Sequence, residues 1–170
     1  MPAATDADLR RRATGIRLLI LDVDGVMTDG RLHYDAEGRE FKTFHVRDGY
    51  GIKRLMAAGV TVAVISGRRS GSTTGRMADL GIRHVMLGRE DKGVALEELL
   101  ANLAIPASST ACVGDDVADL EIMSRVALPV AVADCHPSIV AAAVWRTSLP
   151  GGNGAVREVC DLLLAARASG

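Results

Sequence analysis

The chain has 170 residues, 48 % of them apolar and only 3 % aromatic, and a formal net charge of −1. That length holds one domain with a real core but not two, and a near-neutral chain without a long basic run argues against nucleic acid or an anionic membrane surface as its main partner. No apolar run approaches the ~20 residues that span a bilayer.

With so few aromatics, the core must be built from Val, Leu, Ile and Ala, as in a parallel sheet covered by helices. Residues 1–16 read as an N-terminal extension. Asp6, Asp8 and the arginines 10–12 precede no apolar segment, so no signal peptide is expected, and the protein is expected in the cytoplasm. Residues 17–170 read as a single domain. It opens with a strand at 18–22, followed by a β-hairpin over about 31–44 whose turn holds Asp35 and Gly38. Next come a helix at 49–58 closed by Gly59, a strand at 60–65, a helix at 70–80 stopped by Gly81, and a short strand at 83–86. Leu96, Leu99, Leu100 and Leu103 recur at helical spacing in 92–103. Strands at 110–113, 127–132 and 143–147, a helix at 117–124, a Gly-rich loop at 151–154 and a helix at 155–166 complete the chain. The alternation predicts an α/β fold, a doubly wound parallel sheet with a projecting hairpin. Cys112, Cys135 and Cys160 form neither a CxxC pair nor a zinc spacing and read as reduced thiols.

In such a sheet, ligands sit beyond the carboxyl ends of the strands. Polar clusters fall there in order: Asp22 and Asp24 after the first strand, Ser66-Gly67-Arg68 after the second, Lys92 at a helix start, and Gly114-Asp115-Asp116 after the strand at 110–113. Asp22 and Asp24 lean to the same side of an extended backbone. Two like charges so close are costly unless a cation or proton is shared, which suits a magnesium site combined with a nucleophile and a proton-transfer group.

Together Asp22-Val-Asp24-Gly, Ser66-Gly, Lys92 and Gly114-Asp115-Asp116-x-x-Asp119 resemble the four motifs of the haloacid-dehalogenase-like phosphohydrolases. The resemblance implies, and chemistry allows, that Asp22 attacks phosphorus, that Asp24 acts as acid and base, and that Ser66 and Lys92 bind the transferring phosphoryl group. It also implies Mg2+ held by Asp22, the Asp24 carbonyl and Asp115. Asp116 and Asp119 read as residues that orient Lys92, the metal waters or the loop, or simply as helix-capping acids. Dehalogenases lack an acid at the place of Asp24 and ATPase pumps carry threonine there, so an ester hydrolase is expected.

The intervals leave no room for a cap domain: 42 residues separate Asp24 from Ser66, and 26 separate Ser66 from Lys92. An uncovered site handles a small phosphosugar poorly, and an isolated two-stranded ribbon is marginal. Both suggest an oligomer in which neighbours cover each other's sites.

A closer resemblance runs over about 17–165. It is carried by Asp22-Val-Asp-Gly-Val-Met-Thr-Asp-Gly30, Phe44-His-Val-Arg-Asp-Gly-Tyr-Gly51, Val132-Ala-Asp-Cys-His-Pro137 and Gly151-Gly-Asn-Gly-Ala-Val-Arg-Glu-Val159. These segments are similar to the family of phosphatases that act on 3-deoxy-D-manno-octulosonate 8-phosphate. That resemblance implies a Mg2+-dependent homotetramer in lipopolysaccharide precursor synthesis, with a small phosphosugar acid as its partner. The sugar carboxylate calls for a guanidinium fork. Arg68 is the best placed. Arg76 and Arg47 are the other candidates, against a solvated face for Arg76 and a surface pair with Asp48 for Arg47. Gly67 and Thr28 join the substrate-binding set. Arg69 reads as solvated, and His45 and His136 as hydrogen-bonded loop residues. The 151–154 loop reads as an anion site, a connector or, by the resemblance, a loop near a neighbour's site. Relatives often carry a tail beyond the last helix that reaches an adjacent site; this sequence ends at Gly170, so a tail is not counted on. Phosphatases of nine-carbon keto-sugar acids are the runner-up, but they tend to have Glu in place of Arg68 and to lack the Arg47–Gly51 stretch. A non-catalytic oligomerisation module would have no reason to keep all five catalytic and metal residues.

Overall fold

The computed structural model describes residues 6–168; the first five residues of the extension and the end of the chain at Gly170 lie outside them. Six parallel strands form the sheet: β1 (Leu18–Leu21), β4 (Thr61–Ser66), β5 (His84–Leu87), β6 (Thr110–Gly114), β7 (Leu128–Ala131) and β8 (Trp145–Arg146). Their order is β5-β4-β1-β6-β7-β8, with Leu21 opposite Val64 on one side and Val113 on the other. The strand order reverses between β1 and β6, so the crevice where ligands collect opens there. The expected doubly wound parallel sheet is what forms.

β1 is buried on both faces, as a central parallel strand must be. Leu19 and Leu21 point into one core, with Val62, Val64, Ala111 and Val113, while Leu18 and Ile20 point into the other, with Ala63, Ile65 and Cys112. The first core is closed by α1 (Asp6–Thr14), α2 (Val46–Ala57), α3 (Gly71–Leu80) and α6 (Ala155–Ala168), the second by α4 (Lys92–Leu103) and α5 (Leu120–Met123). Within the segment before residue 17, the helix α1 therefore buries Leu9 and Ala13 in the first core. Its arginines mask that role in the sequence. Cys112 and Cys160 are buried, Cys135 is half-buried, and all three are free thiols; burial pushes the Cys160 thiol up to about 12.

Three local features differ from the sequence-based expectation. α2 begins at Val46 rather than 49, because His45 Nδ1 accepts the Arg47 N–H (3.2 Å) and caps the helix. Gly49 and Gly51 then sit inside it, each unfavourable by ~1 kcal/mol in a helix. A Cβ at Gly49 would displace the Arg76 guanidinium and crowd Leu80, and one at Gly51 would crowd Arg157 and Cys160, so the two glycines let α3 and α6 approach closely. The expected helix at 117–124 splits into a 3-10 turn, Val117–Asp119, and the single turn of α5, because Asp116 and Asp119 form a capping box across its start. The hairpin reduces to β2 (His33–Tyr34) paired with β3 (Glu40–Phe41). It folds back onto its own chain, where Ser72 Oγ of α3 donates to the Glu40 carbonyl (3.2 Å).

Candidate active site

Asp22 and Asp115 directly follow β1 and β6, Ser66 ends β4, and α4 begins at Lys92. These four residues line one cleft of about 270 Å³ with Asp24, Gly67, Arg68, Asp116 and Asp119. Three strand ends and one helix start, drawn from positions up to 93 residues apart, meet there because the sheet places neighbouring parallel strands in register.

At the floor lies a knot of buried charge. Lys92 Nζ donates to Asp22 Oδ1 at 2.9 Å and to Asp119 Oδ1 at 2.6 Å, and the three residues are only 4–8 % exposed. Burial works against the Lys92 ammonium, but Asp22 and Asp119 outweigh it and raise its pKa. Burial pushes Asp22 up to about 6, with Lys92 opposing and Asp119 adding to the shift. It pushes Asp115 up to about 7, reinforced by the charges of Asp22 and Asp119. Three carboxylates thus face a single lysine, and oxygens of Asp22, Asp115 and Asp119 lie within 4.8 Å of one another. This donor set, all oxygen and short of positive charge, fits a hard divalent cation. A Cβ at Gly25, where φ is +90°, would strike Asp115 Oδ2, so only glycine leaves this cradle open.

Asp119 serves the knot rather than the open cleft. Its Oδ1 holds Lys92 and its Oδ2 accepts the Asp115 N–H at 3.0 Å. Asp116 is exposed and accepts the Val117 N–H at 2.7 Å, the work of a helix cap. α4 gets no side-chain cap from Asp91. Instead Glu121 Oε2 accepts the Gly93 N–H at 2.8 Å, so Asp119 and Glu121, two residues apart, grip the first turn of α4 from both sides of Lys92.

The Asp24 side chain turns the other way. Lys42 Nζ of the hairpin bonds Asp24 Oδ1, and Arg68 Nε lies 3.5 Å from Asp24 Oδ2. Glu40 joins the two cations, with Arg68 at 2.5 Å and Lys42 at 3.5 Å. Neither Lys42 nor Glu40 was marked by the motif spacing. A Lys two residues after a Glu in an exposed ribbon gives no signal that its side chain will be buried.

Thr28, Arg76 and Arg47 do not reach this cleft. Thr28 is 2 % exposed; its Oγ1 donates to the Val23 carbonyl (3.3 Å) and accepts the N–H groups of Gly25 and Gly30, so it braces the loop after β1 and does not line the cleft. Arg76 lies over the Phe44 ring, 5.9 Å from its centroid, wedged between α2 and α3. Arg47 is exposed on α2, and the expected pair with Asp48 does not form, because Asp48 is buried and accepts the N–H groups of Gly154 and Arg157. His45 and His136 both cap turns through Nδ1. The 151–154 loop packs on the catalytic loop. Gly152 N–H donates to the Val26 carbonyl (2.9 Å), and a Cβ at Gly151 would strike the Gly25 carbonyl. Gly151 and Gly152 allow this close contact, and the N–H groups of Gly151 and Gly154 donate to the carboxylates of Asp134 and Asp48.

Known proteins are similar to this chain in sequence and fold. Residues 81–157 match the model of the haloacid dehalogenase-like hydrolases. The chain is 48 % identical over 161 residues to the 3-deoxy-D-manno-octulosonate 8-phosphate phosphatase KdsC of Escherichia coli K12, covering 95 % of this chain and 86 % of that protein. The crystal structure of the Yersinia pestis 3-deoxy-D-manno-octulosonate 8-phosphate phosphatase superposes with a TM-score of 0.93 at 49 % identity, over 95 % of this chain and 87 % of that one. The Moraxella catarrhalis phosphatase of the same name, solved with magnesium ion, phosphate ion and KDO, superposes with a TM-score of 0.94 at 38 % identity, over 96 % of this chain and 94 % of that one.

Proposed function

The chain belongs to the 3-deoxy-D-manno-octulosonate 8-phosphate phosphatases, within the haloacid dehalogenase-like hydrolases, and we propose that its chemistry runs through Asp22, Asp24, Ser66, Lys92 and Asp115. It hydrolyses the phosphate monoester of 3-deoxy-D-manno-octulosonate 8-phosphate to the free sugar acid and phosphate, with Mg2+ as cofactor.

Asp22 attacks phosphorus, the bond to the C8 oxygen breaks, and an aspartyl phosphate forms on the enzyme. Asp24 gives a proton to the departing oxygen and then takes one from the water that hydrolyses the aspartyl phosphate. Ser66 and Lys92 offer a hydrogen bond and a positive charge to the phosphoryl oxygens as charge builds on them. When bound, Mg2+ would be held by Asp22, the Asp24 carbonyl and Asp115, and would supply positive charge to the acidic floor and the phosphoryl oxygens. Asp119 holds Lys92 in place. Arg68 and Gly67 at the rim take the body of the sugar acid, with the Arg68 guanidinium suited to its carboxylate. The observation that carries this reading is the convergence of Asp22, Asp24, Ser66, Lys92 and Asp115 around one cleft.

The finer reading of assembly is a homotetramer in the cytoplasm, its hairpins helping to cover neighbouring sites during lipopolysaccharide precursor synthesis. Exposed apolar residues on and beside the hairpin, Leu32, Tyr34 and Phe41 at 46–53 % exposure, support it. Arg47, outside its own cleft, would then meet a sugar carboxylate only in a neighbour's site. Phosphate release from a panel of phosphosugars, with Mg2+ and with chelator, tests the whole reading. The octulosonate ester should be turned over fastest and only with the metal, and Asp22→Asn should lower kcat by at least about 10⁴-fold. Near wild-type turnover by Asp22→Asn would discard the mechanism; faster hydrolysis of a nine-carbon ester would discard the substrate.

A further inference from the structure

The Lys42 side chain is only 1 % exposed, although lysine is almost never fully buried unless it is paired. Its ammonium bonds Asp24 Oδ1 and lies 3.5 Å from Glu40 Oε1, while Glu40 Oε2 holds the Arg68 guanidinium at 2.5 Å. Two anions and two cations therefore close a neutral ring between the hairpin, the catalytic loop and the loop after β4. Within it, Asp24 Oδ2 is buried and accepts no hydrogen bond. One oxygen of the carboxylate is pinned; the other makes no hydrogen bond, with the Arg68 Nε 3.5 Å away, on a residue that lines the cleft.

We propose that Lys42 is a positioning residue for proton transfer: by holding Asp24 Oδ1 it fixes the carboxyl rotation so that Oδ2 exchanges protons with the leaving oxygen and the attacking water. This rests on the reading of Asp24 as the acid and base. A carboxyl group that rotates freely presents its proton to the leaving oxygen only part of the time, and a positioned acid contributes roughly 10²–10⁴-fold. The hairpin thereby takes part in catalysis within its own chain, apart from any service to a neighbour.

The dependence on leaving group tests this with the intact Mg2+-loaded enzyme. A sugar alkoxide needs a proton as it departs, whereas p-nitrophenolate leaves without one. Lys42→Met should lower kcat/KM about 10²-fold on the octulosonate 8-phosphate and by less than about threefold on p-nitrophenyl phosphate. Lys42→Arg, which keeps a donor, should recover most of the loss. Equal losses on both substrates would overturn the proposal, since they would mark Lys42 as a phosphate ligand or a folding residue. So would a change confined to KM for the sugar acid. Asp24→Asn run in parallel separates the two levels. If it keeps sugar-phosphate turnover, the role of Asp24 fails and the proposal with it. If it is inactive on the sugar phosphate while Lys42→Met matches wild type, only the proposal for Lys42 falls.

Discussion

Lys92 and Lys42 each hold an aspartate of the same loop, yet they reach it by different routes. Lys92 is the first residue of α4, carried to Asp22 by a helix that spans the sheet and locked by Asp119 from the β6 side. Lys42 arrives just after β3, in a ribbon whose two strands have two residues each. That ladder is too short to stand alone. Side chains hold it in place: Lys42 and Glu40 to the site, and Ser72 to the Glu40 carbonyl. On the proposed mechanism, the phosphate end of the reaction is thus built on the sheet and its helices, and the sugar end on an element that is ordered largely by the groups it brings.

This contrast makes quantitative claims. Lys92→Met should cost the most, about 10²–10³-fold in kcat and about 3–5 kcal/mol in stability, because it leaves buried carboxylates without their cation. Lys42→Met, among partners that are 15–19 % exposed, should cost less than about 1.5 kcal/mol by urea unfolding. Equal stability losses would erase the distinction between the two networks.

A second comparison concerns pH. Without metal, folded Asp115 titrates near 7 and Asp22 near 6, against 3.8 for an ordinary aspartate. Between about pH 4 and 7 the folded state holds protons that the unfolded chain has already lost. The stabilisation linked to these groups is therefore complete below about pH 4 and is lost as pH rises to 7. Magnesium needs the ionised carboxylates. The rise in Tm on saturating with Mg2+ should thus be larger at pH 8 than at pH 5; the same rise at both would contradict a floor of crowded carboxylates short of positive charge.

The smallest effect is expected away from both lysines. Asp48, 2 % exposed, accepts the Gly154 and Arg157 N–H groups at 3.3 and 2.8 Å and so joins the start of α2 to the start of α6. Asn offers only one acceptor oxygen, and Asp48→Asn should cost about 1 kcal/mol in urea unfolding. No measurable change would show that these bonds are replaced by solvent.

Much of the site was legible because it is periodic. A buried strand followed by polar residues is a local signal, and three such signals with a lysine at a helix start, in the order of a doubly wound sheet, point to the same rim; Asp22, Asp24, Ser66, Lys92 and Asp115 all line the cleft. The arginines were not legible in this way. Arg68 and Arg76 are both plausible from spacing, but Arg76 is captured by Phe44 and the space left by Gly49. Thr28 sits in the most recognisable segment of the chain and still turns inward, because the tight turn at Gly25–Gly30 needs an acceptor for its N–H groups. The same blindness covers the 151–154 loop, whose glycines answer to a carbonyl 126 residues away in sequence.

By itself, the sequence determined the sheet, its switch point and the residue types at each strand end, because hydrophobic period, helix stops and strand-end polarity are properties of neighbouring residues. Only the tertiary structure decided which charges pair. It gave Lys42 to Asp24, Asp119 to Lys92, and Asp48 to α6 rather than to Arg47. A side chain's partner is set by where the backbone brings distant segments together and by how little water remains between them, and neither quantity is written in local spacing.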